Sequence, residues 1–358
     1  MNEEIRLLLV DDSSLARKMI RRLIEVDPKM VIVDEAVDGL DGLQKIRELD
    51  IDVVILDYEM PNMNGLELLK ALARDPSIRH KPSVLICSSL THSGSKHTIN
   101  CLLAGAKDYV LKPDSTSNMA EVQKIILEKI YFAAKSQKKR PRVTNNSNIQ
   151  QTIKPIRQAP IRLKNPGLVV IGSSTGGPTA LEIALKDIPP DYPYPILIVQ
   201  HMPANFTASL AASLTNNIQI PVIEVNKETM IEKGKAYLAA GGKHMLMKDP
   251  HTLDWEDGDL VNFCRPSVDV LFNSIAKVYK KSVLSIILTG MGDDGYKGIA
   301  NLKKNLDCFS VIQDEASSVV WGMPRAVFDN NLHDMIVPIQ KIGEQIINAK
   351  YASPIKFK

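Results

Sequence analysis

Paired cysteines, long apolar runs and an excess of charge of either sign are all missing from this 358-residue chain. The four cysteines, Cys87, Cys101, Cys264 and Cys308, lie far apart without a C-x-x-C pair. Neither a disulfide framework nor a zinc knuckle is therefore expected. No uncharged apolar stretch reaches the roughly 18 residues of a membrane span, so no membrane insertion is expected. Residues 1–6 carry Glu3 and Glu4, which is not the form of a secretory leader. The 44 Lys+Arg nearly balance 41 Asp+Glu, for a net charge of +3. Aromatic residues make up only 5%, and no stacking platform or helix-turn-helix pattern accompanies the basic residues, so no nucleic-acid partner is expected. What remains, 44% hydrophobic and 24% charged, fits a soluble, cytoplasmic protein. At roughly 100–200 residues per domain, the length suggests two or three domains.

The charge is unevenly spread. Nine basic and no acidic residues lie between 133 and 166, so the rest of the chain carries −6. That segment is rich in Asn, Gln and Pro and shows no sustained apolar period. It predicts a basic flexible linker at 133–166, between domains at 1–132 and 167–352.

In the first domain, apolar strands are expected over 5–10, 31–36, 52–56, 84–87 and 108–111. Helical periods separate them over 13–26, 39–49, 66–73 and 95–104, and a last one follows over 117–133. Nearly continuous apolar strands alternating with helices predict an α/β fold, a doubly wound parallel sheet covered on both faces. Ligands of such sheets bind outside the carboxyl ends of the strands. Asp11, Asp12, Asp57, Ser88 and Lys112 all fall there. In a 2-1-3-4-5 strand order three carboxylates converge, and a hard cation such as Mg²⁺ relieves their repulsion. Lysine and metal would hold the charge of a phosphoryl group while Asp57 attacks as the nucleophile.

This stretch resembles response-regulator receiver domains, which are flavodoxin-like. The resemblance lies in Leu8-Leu9-Val10-Asp11-Asp12-Ser13, Leu56-Asp57-Tyr58-Glu59-Met60-Pro61, Asn64-Gly65, Ser88, Gly105-Ala106 and Lys112-Pro113. It implies that Asp57 is phosphorylated and that Asp12 binds Mg²⁺ directly. Asp11 would be a second acidic partner, the Glu59 carbonyl a further metal ligand and Tyr109 the aromatic switch residue.

In the second domain an apolar strand over 168–171 enters Gly172-Ser173-Ser174-Thr175-Gly176-Gly177-Pro178, ahead of a helical period. A phosphate cradle is disfavoured, because no Lys-Ser/Thr follows and the G-x-G-x-x-G spacing is absent. A G-x-S-x-G nucleophile turn centred on Ser174 fits, with helix N–H groups available to a developing oxyanion. A serine hydroxyl needs a base. The domain has three histidines, His201, His244 and His251, and His201 is best placed at the end of an apolar strand over 196–199. A carboxylate must then fix the histidine tautomer. The strand over 283–289 leads to Asp293 and Asp294, and either fits.

Further motifs follow in order: Gln200-His201-Met202-Pro203, Gly242-Lys243-His244-Met245, Arg265-Pro266-Ser267-Val268-Asp269, residues 288–295, Glu315-Ala316-Ser317 and Gly322-Met323-Pro324-Arg325. With the Gly172 turn, they resemble the Rossmann-like catalytic domain of chemotaxis protein-glutamate methylesterases. The resemblance implies Ser174 as nucleophile, His201 as base and Asp294 as orienting carboxylate. Met291 would supply an oxyanion amide and Thr175 would line the site. It also implies phosphorylation-activated hydrolysis of glutamate γ-methyl esters and deamidation of glutamines on chemoreceptors. A histidine kinase would be the phosphodonor, with Mg²⁺ in the receiver and no cofactor for the esterase chemistry. The alternative is a receiver-gated serine hydrolase acting on another methylated protein or a small ester.

Overall fold

The computed structural model describes residues 4–89, 91–113, 118–138, 161, 163 and 166–351. The first unit runs β1 (Ile5–Val10), α1 (Ser14–Ile24), β2 (Met30–Ala36), α2 (Gly39–Glu48), β3 (Val53–Asp57) and α3 (Gly65–Arg74). It continues with β4 (Ser83–Ser88), α4 (His92–Leu103), β5 (Asp108–Leu111) and α5 (Met119–Lys138). Its five strands are parallel in the order β2-β1-β3-β4-β5, the order in which the three strand-end carboxylates were expected to converge. Side-chain alternation divides the two faces. Leu8, Val10, Val54 and Leu56 bury on one side, and Leu7, Leu9, Val53 and Ile55 on the other, against α1 and α5.

Helix α5 extends beyond the residue where the linker was expected to begin, because Ala133 and Ala134 bury in the core beneath it. Most of the expected basic linker lies outside the described residues. Ile161 and Leu163, which are described, are buried.

The second unit comprises β6 (Pro166–Ser173), α6 (Gly177–Leu185), β7 (Ile196–Gln200), α7 (Phe206–Asn217), β8 (Val222–Val225), β9 (Thr229–Met230), β10 (Ala236–Ala239), β11 (His244–Asp249) and β12 (Thr252–Glu256). It continues with α8 (Val268–Val278), β13 (Ser282–Ile287), α9 (Tyr296–Asn305), β14 (Cys308–Gln313), α10 (Gly322–Asp329), β15 (Met335–Val337) and α11 (Ile339–Asn348). Seven parallel strands lie in the order β15-β14-β13-β6-β7-β10-β8, and β11, β12 and β9 form a small antiparallel sheet. The strand order reverses between β6 and β13. The carboxyl ends there, and at neighbouring β7, are where a doubly wound sheet opens a crevice.

The two units touch through α4, which packs on α6 and α7. One continuous apolar core therefore joins the inner face of the first sheet, through these helices, to Val169, Ile171, Ile196 and Ile198 of the second. Among the described residues, no helix is long and apolar enough to cross a membrane.

Candidate functional site

At the carboxyl end of the first sheet, ligand atoms of Asp11, Asp12 and Asp57 lie within 4.8 Å of one another. Asp11 and Asp57 are buried, whereas Asp12 is exposed. Lys112 Nζ lies 2.9 Å from both Asp11 Oδ2 and Asp57 Oδ2. Burial pushes the Asp57 pKa up and Lys112 draws it back down, while the two carboxylates raise that of Lys112 above its ordinary value against the opposing effect of burial. The three carboxylates and one lysine suit a hard divalent cation, because the lysine leaves negative charge uncompensated. Ser88 Oγ accepts a hydrogen bond from Thr98 on α4 at 2.6 Å. Tyr109 is buried, and its ring stacks on Phe206 of α7 at 5.0 Å between centroids. The Glu59 side chain is exposed. Next to Asp57, the Tyr58 ring stacks on His97 of α4 at 3.9 Å.

At the second sheet, the strands bring together the residues that the sequence placed at their ends. Ser173 and Gln200 are register partners on β6 and β7. Ser173 Oγ donates to Gln200 Oε1 at 2.6 Å, so the first serine is a buried brace. Gln200 Nε2 in turn donates to the backbone carbonyls of Ser174, at 2.9 Å, and His201, at 3.2 Å. Position 177 must be glycine, since a Cβ there would lie 1.8 Å from Gln200 Oε1. Ser174, left half-buried beyond the strand, faces Gly290, where a Cβ would come 2.8 Å from that of Ser174.

His201 Nε2 donates to Asp294 Oδ2 at 2.8 Å. Asp294 is 2% exposed. It accepts four more hydrogen bonds. Three come from the N-terminus of α8, from Ser267 Oγ (2.9 Å), Val268 N (2.6 Å) and Asp269 N (3.1 Å). The fourth comes from Asn262 Nδ2 at 2.8 Å. Burial opposes its charge, but His201 and these donors hold its pKa down at about 2. The helix N-terminus favours that charge as well. Burial likewise disfavours the His201 imidazolium, yet Asp294 and the Cys264 sulfur outweigh it and raise the pKa above its ordinary 6.5. Asp293 is exposed, which resolves the choice between the two aspartates by geometry.

His201 Nδ1 faces Cys264 Sγ at 3.4 Å, and among the described residues no hydrogen bond joins it to the Ser174 hydroxyl. The Met291 amide has no acceptor among the described residues, whereas the Gly290 amide is used by Val320. Thr175 is buried beside the turn, and its carbonyl accepts from Thr289 Oγ1 at 2.9 Å. His244 is not part of this cluster. It is buried, its Nδ1 accepts from Ser267 N at 3.2 Å and its Nε2 donates to the Asp259 carbonyl at 2.8 Å. His251 lies in the hairpin between β11 and β12.

Four residues at the site escaped sequence reasoning: Gln200, Asn262, Cys264 and Ser267. Ser267 is the N-cap of α8, and nothing in its spacing pointed to Asp294.

Two family models match the chain. The response regulator receiver domain matches residues 7–124, and the CheB methylesterase matches residues 169–346. A protein-glutamate methylesterase/protein-glutamine glutaminase of Halalkalibacterium halodurans is 36% identical, over 97% of this chain and 99% of its own length. One from Nitrobacter hamburgensis is 37% identical, over 96% of this chain and 94% of its own length. The crystal structure of the Thermotoga maritima CheB methylesterase catalytic domain is 36% identical, covering 51% of this chain and 97% of that one, with a TM-score of 0.49.

Proposed function

Because the chain belongs to the family of protein-glutamate methylesterases/protein-glutamine glutaminases that carry a receiver domain, we propose how its residues divide that work. Ser174 Oγ attacks the carbonyl carbon of a glutamate γ-methyl ester, and its proton passes to His201. Since Nε2 is held by Asp294, Nδ1 takes the proton, and the serine hydroxyl displaces the Cys264 thiol there. The Met291 amide, free of other acceptors among the described residues, receives the oxyanion. The ester C–O bond then breaks, methanol leaves with the proton from His201, and an acyl-serine remains. His201 next deprotonates water, which attacks the acyl carbon. Glutamate is released and Ser174 regains its proton. With glutamine, ammonia leaves instead. None of these steps needs a cofactor. The buried Asp294–His201 pair beside the Ser174 turn is the observation that carries the assignment.

In the receiver, we assign Asp57 as phospho-acceptor, with Asp11, Asp12, Asp57 and the Glu59 carbonyl as the group that would hold Mg²⁺. When bound, the ion neutralises charge on an incoming phosphoryl group. Asp57 forms the new O–P bond as the P–N bond to the kinase phosphohistidine breaks and its electron pair returns to that imidazole, and Lys112 is placed to hold the phosphoryl oxygens. Ser88 and Tyr109 are the partners that carry this change onward, Ser88 to α4 through Thr98 and Tyr109 to α7 through Phe206. Helices α6 and α7 directly follow the Ser174 turn and the His201 loop, and α4 packs on both. The receiver thus holds the elements behind the nucleophile and base, and phosphorylation favours their release. The receiver at 1–132 gains the end of α5, up to Lys138. The basic linker then leads to the catalytic unit at 167–352. The partners are methylated chemoreceptors and a chemotaxis histidine kinase in the cytoplasm.

The test is methanol release from methylated receptor membranes, with and without a small phosphodonor and Mg²⁺. Release stimulated by the donor is expected. Unstimulated release would remove the gating, and no release from folded protein would move the assignment to another ester.

A further inference from the structure

The turn Val261-Asn262-Phe263-Cys264 touches both Asp294 and His201 of the candidate catalytic cluster. Val261 and Cys264 exchange both backbone hydrogen bonds, at 3.1 and 2.9 Å, which closes a two-residue loop. Both central residues have positive φ, 52° at Asn262 and 61° at Phe263. Such primed turns favour Asn followed by Gly. Asn262 fits that rule and Phe263 breaks it. A bulky side chain in the left-handed region is strained.

Burial does not compensate, because Phe263 is 96% exposed and its neighbour Leu260 is 62% exposed. Yet the residues flanking Phe263 are both tied to the site. Asn262 Nδ2 bridges Asp294 Oδ1 at 2.8 Å and Asp269 Oδ2 at 2.9 Å. Cys264 Sγ contacts His201 Nδ1 at 3.4 Å. The Val261–Cys264 backbone bonds and the Asn262 bridge therefore hold an aromatic ring in water at the rim of the reacting centre.

We propose that Phe263, with Leu260, is a specificity-determining contact of the methylesterase, packing on apolar side chains of the substrate protein next to the methylated glutamate. Exposed aromatic anchors carry much of the binding energy in protein recognition, and a braced turn loses little freedom when it binds. A purely structural turn would be better served by glycine. The inference rests on the assignment of Ser174, His201 and Asp294 above.

The experiment compares the full-length protein with its Phe263→Gly and Phe263→Leu variants. The substrate is a methylated cytoplasmic receptor fragment in solution, so that contact with a membrane surface cannot produce the result. Thermal unfolding and the rate at which a small alkyl fluorophosphonate labels Ser174 are measured alongside. Phe263→Gly relieves the turn, so its melting temperature is expected to hold or rise. Ser174 labelling stays within about twofold, whereas KM for the receptor fragment rises about tenfold or more, and Phe263→Leu recovers most of the loss. An unchanged KM in Phe263→Gly overturns the proposal, and so does a parallel fall in labelling and turnover, which would make the turn a support for the cluster alone. A Ser174→Ala control that still hydrolyses the fragment would instead overturn the catalytic assignment, and this proposal with it.

Discussion

His201 has different partners on its two ring nitrogens, a carboxylate at Nε2 and a thiol at Nδ1. The buried carboxylate stabilises the imidazolium, so the raised pKa of His201 and the lowered pKa of Asp294 are two views of one pair. For stability, the Asp294 contribution is present above its unfolded pKa near 3.8 and is lost as pH falls through about 2. The His201 contribution is fully present below its unfolded 6.5 and fades as pH rises through the raised folded value. The pair therefore stabilises most between these two unfolded values. In the proposed role of His201 as base the ring must be neutral, so activity is expected to gain where this stabilisation fades. The acid limb of kcat/KM is expected above pH 6.5. Asp294→Asn should move the limb down and cut kcat by roughly 10⁴, as loss of the orienting carboxylate does in a serine triad. A pH–rate profile of both proteins checks this. A limb that stays in place in Asp294→Asn would detach the carboxylate from the base. Ser174→Ala should abolish methanol release while leaving Asp57 phosphorylation intact, measured as radiolabel transfer from a phosphodonor.

At the scale of elements, α4 is the connecting part. One side of it meets the phosphoryl site through Thr98 on Ser88 and His97 on Tyr58. Its other side meets the catalytic unit. Ser95 Oγ and Ser209 Oγ of α7 are 2.9 Å apart, and Thr179 Oγ1 of α6 donates to the Leu102 carbonyl at 2.8 Å. Beside α4, Tyr109 of β5 stacks on Phe206 of α7 and adds an aromatic contact between the two units. A net hydrogen bond of this type contributes about 0.5–1.5 kcal/mol. Thr179→Val keeps the shape and removes the donor. It should raise the unstimulated esterase rate roughly 2- to 10-fold, while the rate of phosphorylated enzyme stays level. An unstimulated rate equal to wild type would show that this contact does not hold the resting state.

For the whole molecule, the two sheets share one continuous apolar core across α4, α6 and α7. Ligand-driven change in such an assembly needs contacts that differ between two states. Asp57 is the proposed phospho-acceptor, and Lys112 is the cation already paired with its carboxylate. Asp57→Ala should therefore lose stimulation by a phosphodonor while Ser174 still reacts with a small fluorophosphonate. Stimulation that persists in this variant would place the acceptor elsewhere.

Local chemistry was legible along the chain. Apolar periods located the strands, and polar residues at their carboxyl ends picked out Asp11, Asp12, Asp57, Lys112, Ser174 and His201, because a doubly wound sheet exposes its functional groups there. The convergence of three carboxylates was expected on condition of a 2-1-3-4-5 strand order, and the first sheet has that order. Element ends were less legible. Helix α5 outruns its expected end because two alanines find a core to bury in, and such burial depends on other strands.

Position along the chain fitted either aspartate and only the resemblance chose Asp294; the tertiary structure supplies the physical reason, because Asp294 is buried and hydrogen-bonded while Asp293 is exposed. Adjacent residues of the same type differ only in which one meets the N-terminus of α8, and that helix begins more than twenty residues earlier in the chain. The G-x-S-x-G spacing had already centred on Ser174, and register with Gln200 adds the bracing role of Ser173, while packing alone brings Cys264 to His201. Periodicity and turn chemistry are local and can be read from sequence. Contacts between distant segments are set by how helices pack on sheets, so only the folded chain decides them.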